Sequence, residues 1–414
     1  MPSSKNHSSK PRIVIVGANF AGLRAAAQLS CRYRVTMLDA MGEFEWTPNI
    51  HEILSGVKRA DGVKLPFGAA VARYGHEFVQ ARVSQIDSDA QQVISAEGRC
   101  WDYDACIVAA GSEGASFGVP GVEEHAMKLR RVADAERIAT ALDRLGRRKR
   151  PASVVVVGGG ITGVETVGEI LRRRHRNERF KVRLLEQEHR LLSQQPRQVG
   201  DDAAERCEAF GVDVLHGVAV ESVHAKTVVL DNGQRLKSDL CIWTAGLALP
   251  AFLRDAALNT SDDRWLPVRD TLQSQASDAL FVAGDSAALR EPIAKQAYHA
   301  MDMGELAGGN VDRFLRGRRL KDFRPSRTPT LIAFGDVTTW LVAGNSAAAS
   351  PLLAAGKEAV YLATMAQLDS PWRPVGYAAR LASRASRATF GLLLPQLNLE
   401  SIVAGAKGSR IMLG

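Results

Sequence analysis

The chain has 414 residues, of which 46% are apolar and 24% charged, and its formal net charge is +8. This length suggests two or three domains, and the apolar share is enough to build cores, which excludes a chain disordered as a whole. The first ten residues are polar and no apolar run reaches about 18 residues, so neither a secretory leader nor a membrane-spanning helix is expected; the cytoplasm is the expected location.

In chain order, the first element is a β-branched run at 12–16. It is followed by a glycine-rich turn of Gly17, Ala18, Asn19, Phe20, Ala21 and Gly22, then a helix-forming stretch at 23–29. A strand at 33–39 ends on Asp39. An apolar strand at 103–110 ends at Ala110 and Gly111, and glycine and proline punctuation between Glu113 and Arg130 reads as a crossover between domains. The opening pattern then returns. A run at 153–157 leads into Gly158, Gly159, Gly160, Ile161, Thr162 and Gly163, a helix at 164–174, and a strand at 181–186 ending on Glu186. Runs at 240–245 and 280–283 end at Gly246 and at Gly284-Asp285. Beyond Arg324, strands at 330–334 and 337–342 flank Gly335-Asp336 as a hairpin, and a helical tail follows, interrupted by Pro371, Pro374 and Pro395.

Continuous β-branched runs fit parallel strands buried on both faces, and strand–turn–helix–strand is the βαβ unit of a doubly wound sheet. The fold class is therefore α/β, with two Rossmann-like dinucleotide-binding domains and a small C-terminal α+β segment. The expected boundaries are a tail at 1–10, one nucleotide domain at 11–115 with 242–322, a second at 116–241, and the C-terminal domain at 323–414.

A glycine turn at a strand's carboxyl end lets backbone approach a pyrophosphate, and the next helix aims its amides at that charge. Gly158, Gly160 and Gly163 match Gly-x-Gly-x-x-Gly fully, with an acid about 20 residues on. In the first copy Asn19 replaces the middle glycine, and asparagine's tolerance of left-handed backbone is expected to preserve the turn. Asp39 and Glu186 would each hydrogen-bond a ribose hydroxyl. Glu186 would repel a 2′-phosphate, favouring NADH over NADPH, although Arg183 and Arg190 lie close enough in sequence to leave NADPH open.

The basic clusters around Arg144–Arg150, Arg172–Arg176 and Arg316–Lys321 read first as solvated helix ends or loops, with anionic lipid, cofactor or nucleic acid as alternatives. None of the five cysteines forms a Cys-x-x-Cys pair. Cys106 and Cys241 sit in apolar runs as core residues, and the nine histidines are scattered, so no metal site is expected.

Over roughly 12–304 these motifs resemble the type II NADH dehydrogenase family of two-domain flavoproteins. The resemblance is carried by Trp46-Thr47-Pro48 with His51-Glu52, by 103–111, by Phe117 to Gly121, by Gly160 to Glu165 with Gly168-Glu169, by Ile242 to Gly246 and by Val282 to Asp285. It implies FAD on Gly17, Asn19, Phe20, Ala21, Gly22, Asp39, Pro48, Ala110, Gly111, Gly284 and Asp285. It implies NADH on Gly158, Gly160, Ile161, Thr162, Gly163, Glu186 and Gly246. Glu165 would lie where nicotinamide and flavin meet, with His51 and Glu52 beside the flavin; the alternatives are a carboxylate that stabilises its own helix N-terminus and two structural residues. Lys357 is a further candidate to point toward the flavin.

The resemblance frays at 297–304. Ala297, Ala300 and Gly304 match the family's quinone-site helix, but Tyr298, Asp302 and Met303 replace its glutamines. Tyr298, His299 and Asp302 are thus either acceptor-site or packing residues. Arg380, Arg384 and Arg387 form a stripe that would lie on anionic lipid at the inner face of a membrane, pack on its own domain, or meet a second copy as a homodimer. Three readings follow: an NADH:acceptor oxidoreductase with a quinone or quinone-like acceptor, a soluble reductase of a specialised metabolite, and a redox-sensing flavoprotein on nucleic acid or membrane. The first is preferred, with no nucleic-acid partner.

Overall fold

A strand that is apolar at every position has no face to offer water, so it belongs inside a sheet covered on both sides. Two strands that come close to this, Arg12–Val16 (apolar from Ile13 on) and Ala152–Val157 (apolar but for Ser153), each lie third of five in a parallel sheet. The computed structural model describes residues 10–176, 178–254, 258, 264–326, 328–369 and 410–412. The chain divides into two compact units, one made of Met1–Phe44, Leu65–Glu113 and Ala248–Ser326, the other of Glu45–Lys64, Gly114–Leu247 and Arg327–Gly414.

In the first unit the sheet runs Leu280–Val282, Ala105–Val108, Arg12–Val16, Arg34–Asp39, Glu77–Gln80, all parallel. The helix Phe20–Ala26 begins inside the glycine turn and packs on the long helix Ala297–Leu315. Glycines bring the two backbones together. A Cβ at Gly304 would fall 2.1 Å from the Ala21 carbonyl oxygen, and one at Gly308 2.5 Å from that of Ala25. The contact is pinned at its flank by Arg24, which pairs with Glu305 at 2.5 Å.

In the second unit the order is Ala126–Lys128, Leu240–Trp243, Ala152–Val157, Phe180–Glu186, Asp213–His216, again all parallel. Its edge strand Ala126–Lys128 falls within the stretch read from sequence as a crossover; glycine and proline punctuation concealed a three-residue strand. Both units also carry a three-stranded antiparallel meander directly after the edge strand that follows the acid-bearing one. These meanders are Val83–Asp87, Gln92–Ser95 and Cys100–Asp102 in the first unit, and Val220–His224, Thr227–Leu230 and Arg235–Lys237 in the second. Sequence reading missed them. For the second unit's meander the available signal was Asn232-Gly233, with Gly233 at φ +82°, a hairpin turn between Thr227–Leu230 and Arg235–Lys237.

The second unit also holds an antiparallel sheet of Thr330–Phe334, Thr338–Ala343, Ser346–Ser350 and Arg410–Met412, whose first two strands form the expected hairpin. Trp340 is fully buried there, and its indole N–H donates to Asp202 at 2.7 Å. The helix Ala354–Asp369 follows. The Arg380, Arg384 and Arg387 stripe lies outside the described residues.

One arginine cluster departs from the sequence reading. Arg173 is 2% exposed, because its guanidinium fork grips Glu178 at 2.5 and 2.9 Å, pairs with Asp143, and donates to the Leu54 carbonyl at 2.6 Å. Arg176 donates to the Ser55 carbonyl at 2.6 Å. These residues are fasteners for the segment 47–56 rather than a solvated helix end.

Candidate functional site

The two glycine turns are built alike. Gly17 and Gly158 have φ of +95° and +104°, a region that L side chains rarely enter. A Cβ at Gly22 would lie 1.9 Å from the Gly17 carbonyl oxygen, and one at Gly163 would lie 1.7 Å from that of Gly158. The acids hold the turns. Asp39 accepts the backbone N–H of Ala18 at 2.8 Å and of Met41 at 2.7 Å; Glu186 accepts those of Gly159 at 2.6 Å and Glu188 at 2.8 Å. Each carboxylate oxygen keeps a further lone pair for a ligand hydroxyl.

The middle position of the motif corrects one expectation. Asn19 has φ −77° and Gly160 φ −74°, both ordinary extended backbone, so Asn19 is not there for left-handed tolerance. A Cβ at Gly160 would meet nothing within 4 Å. This position leaves room in front of the helix N-terminus rather than bending the chain, and Asn19 places a side chain in the matching space.

The other first-turn candidates converge at the carboxyl edge of the first sheet. A Cβ at Gly17 would press on Ala109 and Ala110. Ser112 O–H donates to Asp285 at 2.7 Å, Ser286 O–H donates to the Gly111 carbonyl at 2.7 Å, and Gly111 and Gly284 both have positive φ. Phe20 meets Phe44 edge to face at 5.0 Å. In the second unit Ile161 and Thr162 open the helix Ile161–Arg172, and Gly246 has φ +70° after the strand Leu240–Trp243. Arg183 pairs with Asp213 at 3.0 Å, and Arg190 donates to the carbonyls of Leu192, Ser193 and Gln195. Both arginines left open beside Glu186 thus have structural partners.

Glu165 enters a buried ring in the second unit. His51, Glu165 and Lys357 are 2%, 5% and 8% exposed. Lys357 Nζ donates to Glu165 Oε1 at 2.5 Å and lies 3.2 Å from His51 Nε2, while His51 Nδ1 is 3.3 Å from Glu165 Oε2. Burial, reinforced by the Lys357 cation, holds His51 well below the usual imidazole range, so the ring is neutral. One tautomer satisfies every contact: Nδ1–H donates to Glu165 and Nε2 accepts from Lys357. Burial pushes the Glu165 carboxyl up, opposed by Lys357 and by the Ala333 N–H, which donates to Oε1 at 3.1 Å. The carboxylate therefore serves the strand Thr330–Phe334 rather than its own helix N-terminus. That approach depends on Gly168, whose Cβ would stand 2.3 Å from the Gly335 nitrogen.

The segment 47–56 brings His51 to this ring. Pro48 opens its 3-10 turn Thr47–Ile53, where a missing N–H costs nothing. Trp46 donates to Asn49 at 2.7 Å and Asn49 donates to Glu52 at 2.7 Å, so Glu52 orders its own segment; Lys58 lies 3.8 Å from its other oxygen.

One turn along the helix, Glu169 is fully buried, with Arg172 at 3.4 Å and Ser55 Oγ hydrogen-bonded to it. Burial pushes its carboxyl up to about 7 from the ordinary 4.5. Ser55 also reaches the Glu52 carbonyl at 3.2 Å. A hydroxyl has one hydrogen, so both contacts are satisfied when protonated Glu169 donates to Ser55 and Ser55 donates to Glu52. A raised acid binds its proton more tightly folded than unfolded, so its stabilisation is present below the unfolded value and lost as pH rises toward 7. Glu169→Gln is therefore expected to remove on the order of 3 kcal/mol of the stability decline between pH 4.5 and 7. Denaturant unfolding of parent and variant at pH 5 and pH 8 checks this, and parallel declines would refute it.

On the helix Ala297–Leu315, Tyr298 and His299 are half-buried, and Asp302 accepts the Ser326 O–H at 2.7 Å. Cys106 and Cys241 are buried within their strands, and burial raises both thiols, that of Cys241 to about 12. Among the described residues no group of His, Cys, Asp and Glu could hold a metal ion, and no helix is long and apolar enough to cross a membrane.

The profile of the pyridine nucleotide-disulphide oxidoreductase family matches residues 11–304. A type II NADH:quinone oxidoreductase of Haemophilus influenzae is 25% identical over 84% of this chain and 90% of its own length. Its namesake from Staphylococcus aureus is 24% identical over 79% and 88%. The structure of NDH2 from Plasmodium falciparum in complex with NADH superposes with a TM-score of 0.79 at 16% identity, covering 93% of this chain and 99% of that one. The sulfide:quinone oxidoreductase of Aquifex aeolicus gives 0.76 at 16% identity, covering 86% and 91%.

Proposed function

Since the chain belongs to the pyridine nucleotide-disulphide oxidoreductase family, we propose that it is an FAD-dependent oxidoreductase that takes electrons from NADH and delivers them to a quinone or quinone-like acceptor. The observation that carries this reading is the pair of matching turns, each closed by an acid and leading into a helix N-terminus. Curated relatives named for NADH and quinone support both ends of the electron path.

The residues fit the two nucleotides. FAD would be held by the backbone of Gly17 to Gly22, with Asn19 facing its pyrophosphate, Asp39 at the adenosine ribose, and Ala110, Gly111, Gly284 and Asp285 beside its remaining length. NADH would be held by Gly158 to Gly163, Glu186 and Gly246. In this assignment the sequence boundaries shift slightly: 11–115 and 242–322 stay with FAD and 116–241 with NADH except that Gly246 goes with the second sheet, since the compact units break after Leu247 and join 45–64 and 327–414 to the unit that would hold NADH. Bound FAD would supply the two-electron chemistry between NADH and the acceptor. The chain's own task is to orient, to exclude water and to hold a proton. Glu165 fits the last role, because its carboxyl is raised by burial and lies against a cation and a neutral imidazole with which it can share a proton.

Glu186, with Arg183 and Arg190 engaged elsewhere, supports NADH over NADPH. Glu186→Gln should shrink the NADH preference in kcat/KM about tenfold, the effect of roughly 1.4 kcal/mol; an equal loss with both nucleotides would sink this role. Tyr298, His299 and Asp302 are the proposed acceptor contacts. The absence of the family's glutamines there favours a second reading, in which the acceptor is a specialised metabolite. Peripheral docking of the Arg380 stripe on an inner membrane face belongs to the first reading, with a homodimer contact as its competitor; cosedimentation with anionic vesicles separates them.

The purified protein should be yellow, and NADH should bleach it without oxygen. A colourless protein, or a flavin that neither NADH nor NADPH bleaches, refutes the proposal. Menadione should restore the colour; failure with quinones but success with another acceptor transfers the site to the second reading.

A further inference from the structure

The second sheet predicts where each half of a dinucleotide would lie. Its strand order changes direction at Ala152–Val157, with Phe180–Glu186 on one side and Leu240–Trp243 on the other. A dinucleotide crosses the carboxyl ends of such strands at this switch point. Glu186 takes the adenosine ribose, so the other half extends over the end of Leu240–Trp243, where Thr244, Ala245 and Gly246 follow.

Phe117 stands at that end. Its ring tip occupies the space over Gly246, where a Cβ would be only 2.0 Å from Cζ. The loops are tied together on both sides: Trp243 Nε1 donates to the Ala115 carbonyl at 2.8 Å, and the Ala115 N–H donates to the Gly246 carbonyl at 3.3 Å. Phe117 itself has φ +53°, an uncommon conformation for a bulky residue, and is 58% exposed. An aromatic ring held in unfavourable backbone and left mostly open is not placed by the hydrophobic core. Strained backbone of this kind persists where surrounding contacts enforce it, and it gathers at ligand sites.

We propose that Phe117 is the aromatic contact for the nicotinamide ring, seated in the space that Gly246 leaves open. This inference rests on the assignment of the Gly158 turn to NADH. A planar, apolar-faced ring is the chemistry that an exposed phenyl edge and face recognise. The bland alternative is that Phe117 only caps the Gly246 loop.

ADP-ribose, which shares every part of NAD+ except the nicotinamide, distinguishes the two. In calorimetric titrations of the flavin-loaded protein, Phe117→Ala should weaken NAD+ by about three- to tenfold, with Phe117→Tyr and all ADP-ribose affinities staying within about twofold of the parent. Retained ADP-ribose binding also reports that the variant is folded. Equal weakening of both ligands, or no weakening of either, overturns the inference. Binding of neither ligand by the parent protein overturns instead the assignment of the Gly158 turn on which it rests.

Discussion

Gly163→Ala should lower the rate at which NADH reduces the flavin by at least about 100-fold, an effect on the order of 3 kcal/mol. The added methyl would stand 1.7 Å from the Gly158 carbonyl oxygen and 3.0 Å from Thr244 Oγ1. Neither neighbour is the end of a flexible chain. The first helical turn must therefore lift off the strand's end, and the amides aimed at the pyrophosphate move with it. The FAD turn has its own glycines in the other unit, so the yellow colour should persist. Gly160→Ala is the informative companion, because its methyl meets nothing within 4 Å. It should leave the melting temperature unchanged yet still weaken NADH. Normal NADH reduction in the Gly163 variant would show that this turn is not where the nucleotide binds.

Lys357→Met should cost about 3–5 kcal/mol of stability at pH 8, because it leaves a buried carboxylate without its cation. The Glu165 carboxyl, already pushed up by burial, would rise further without Lys357, so protonation relieves the penalty as pH falls. The deficit should accordingly be smaller at pH 5.5 than at pH 8. Urea denaturation at the two pH values reads this directly, and a deficit independent of pH would refute the charge argument. His51→Gln keeps a donor and an acceptor in place of the imidazole, and should cost less at both.

What was legible in the sequence was local. A left-handed glycine, a strand buried on both faces and an acid at a strand's end each leave a signal within a few residues, and the two nucleotide modules are made of such signals. The hairpin around Gly335 was legible for the same reason. His51, Glu165 and Lys357 were each singled out, but their meeting in one ring was not legible, because they come from three distant stretches that only the fold brings together. Arg173 reads as one more surface cation in a basic run; its burial follows from carbonyls and carboxylates that only the fold brings near. Asn19 misled for another reason. Both middle positions have extended backbone, so a rule about left-handed conformation gave the wrong cause for the turn's survival.

The carboxylates of Asp39 and Glu186 clamp their turns through the chain's own backbone amides. A turn held by its own chain owes its order to folding, and a ligand docking there would give up its own freedom without having to order the loop as well. The heat-capacity change on binding should then reflect apolar ligand surface removed from water, with no added contribution from a folding loop.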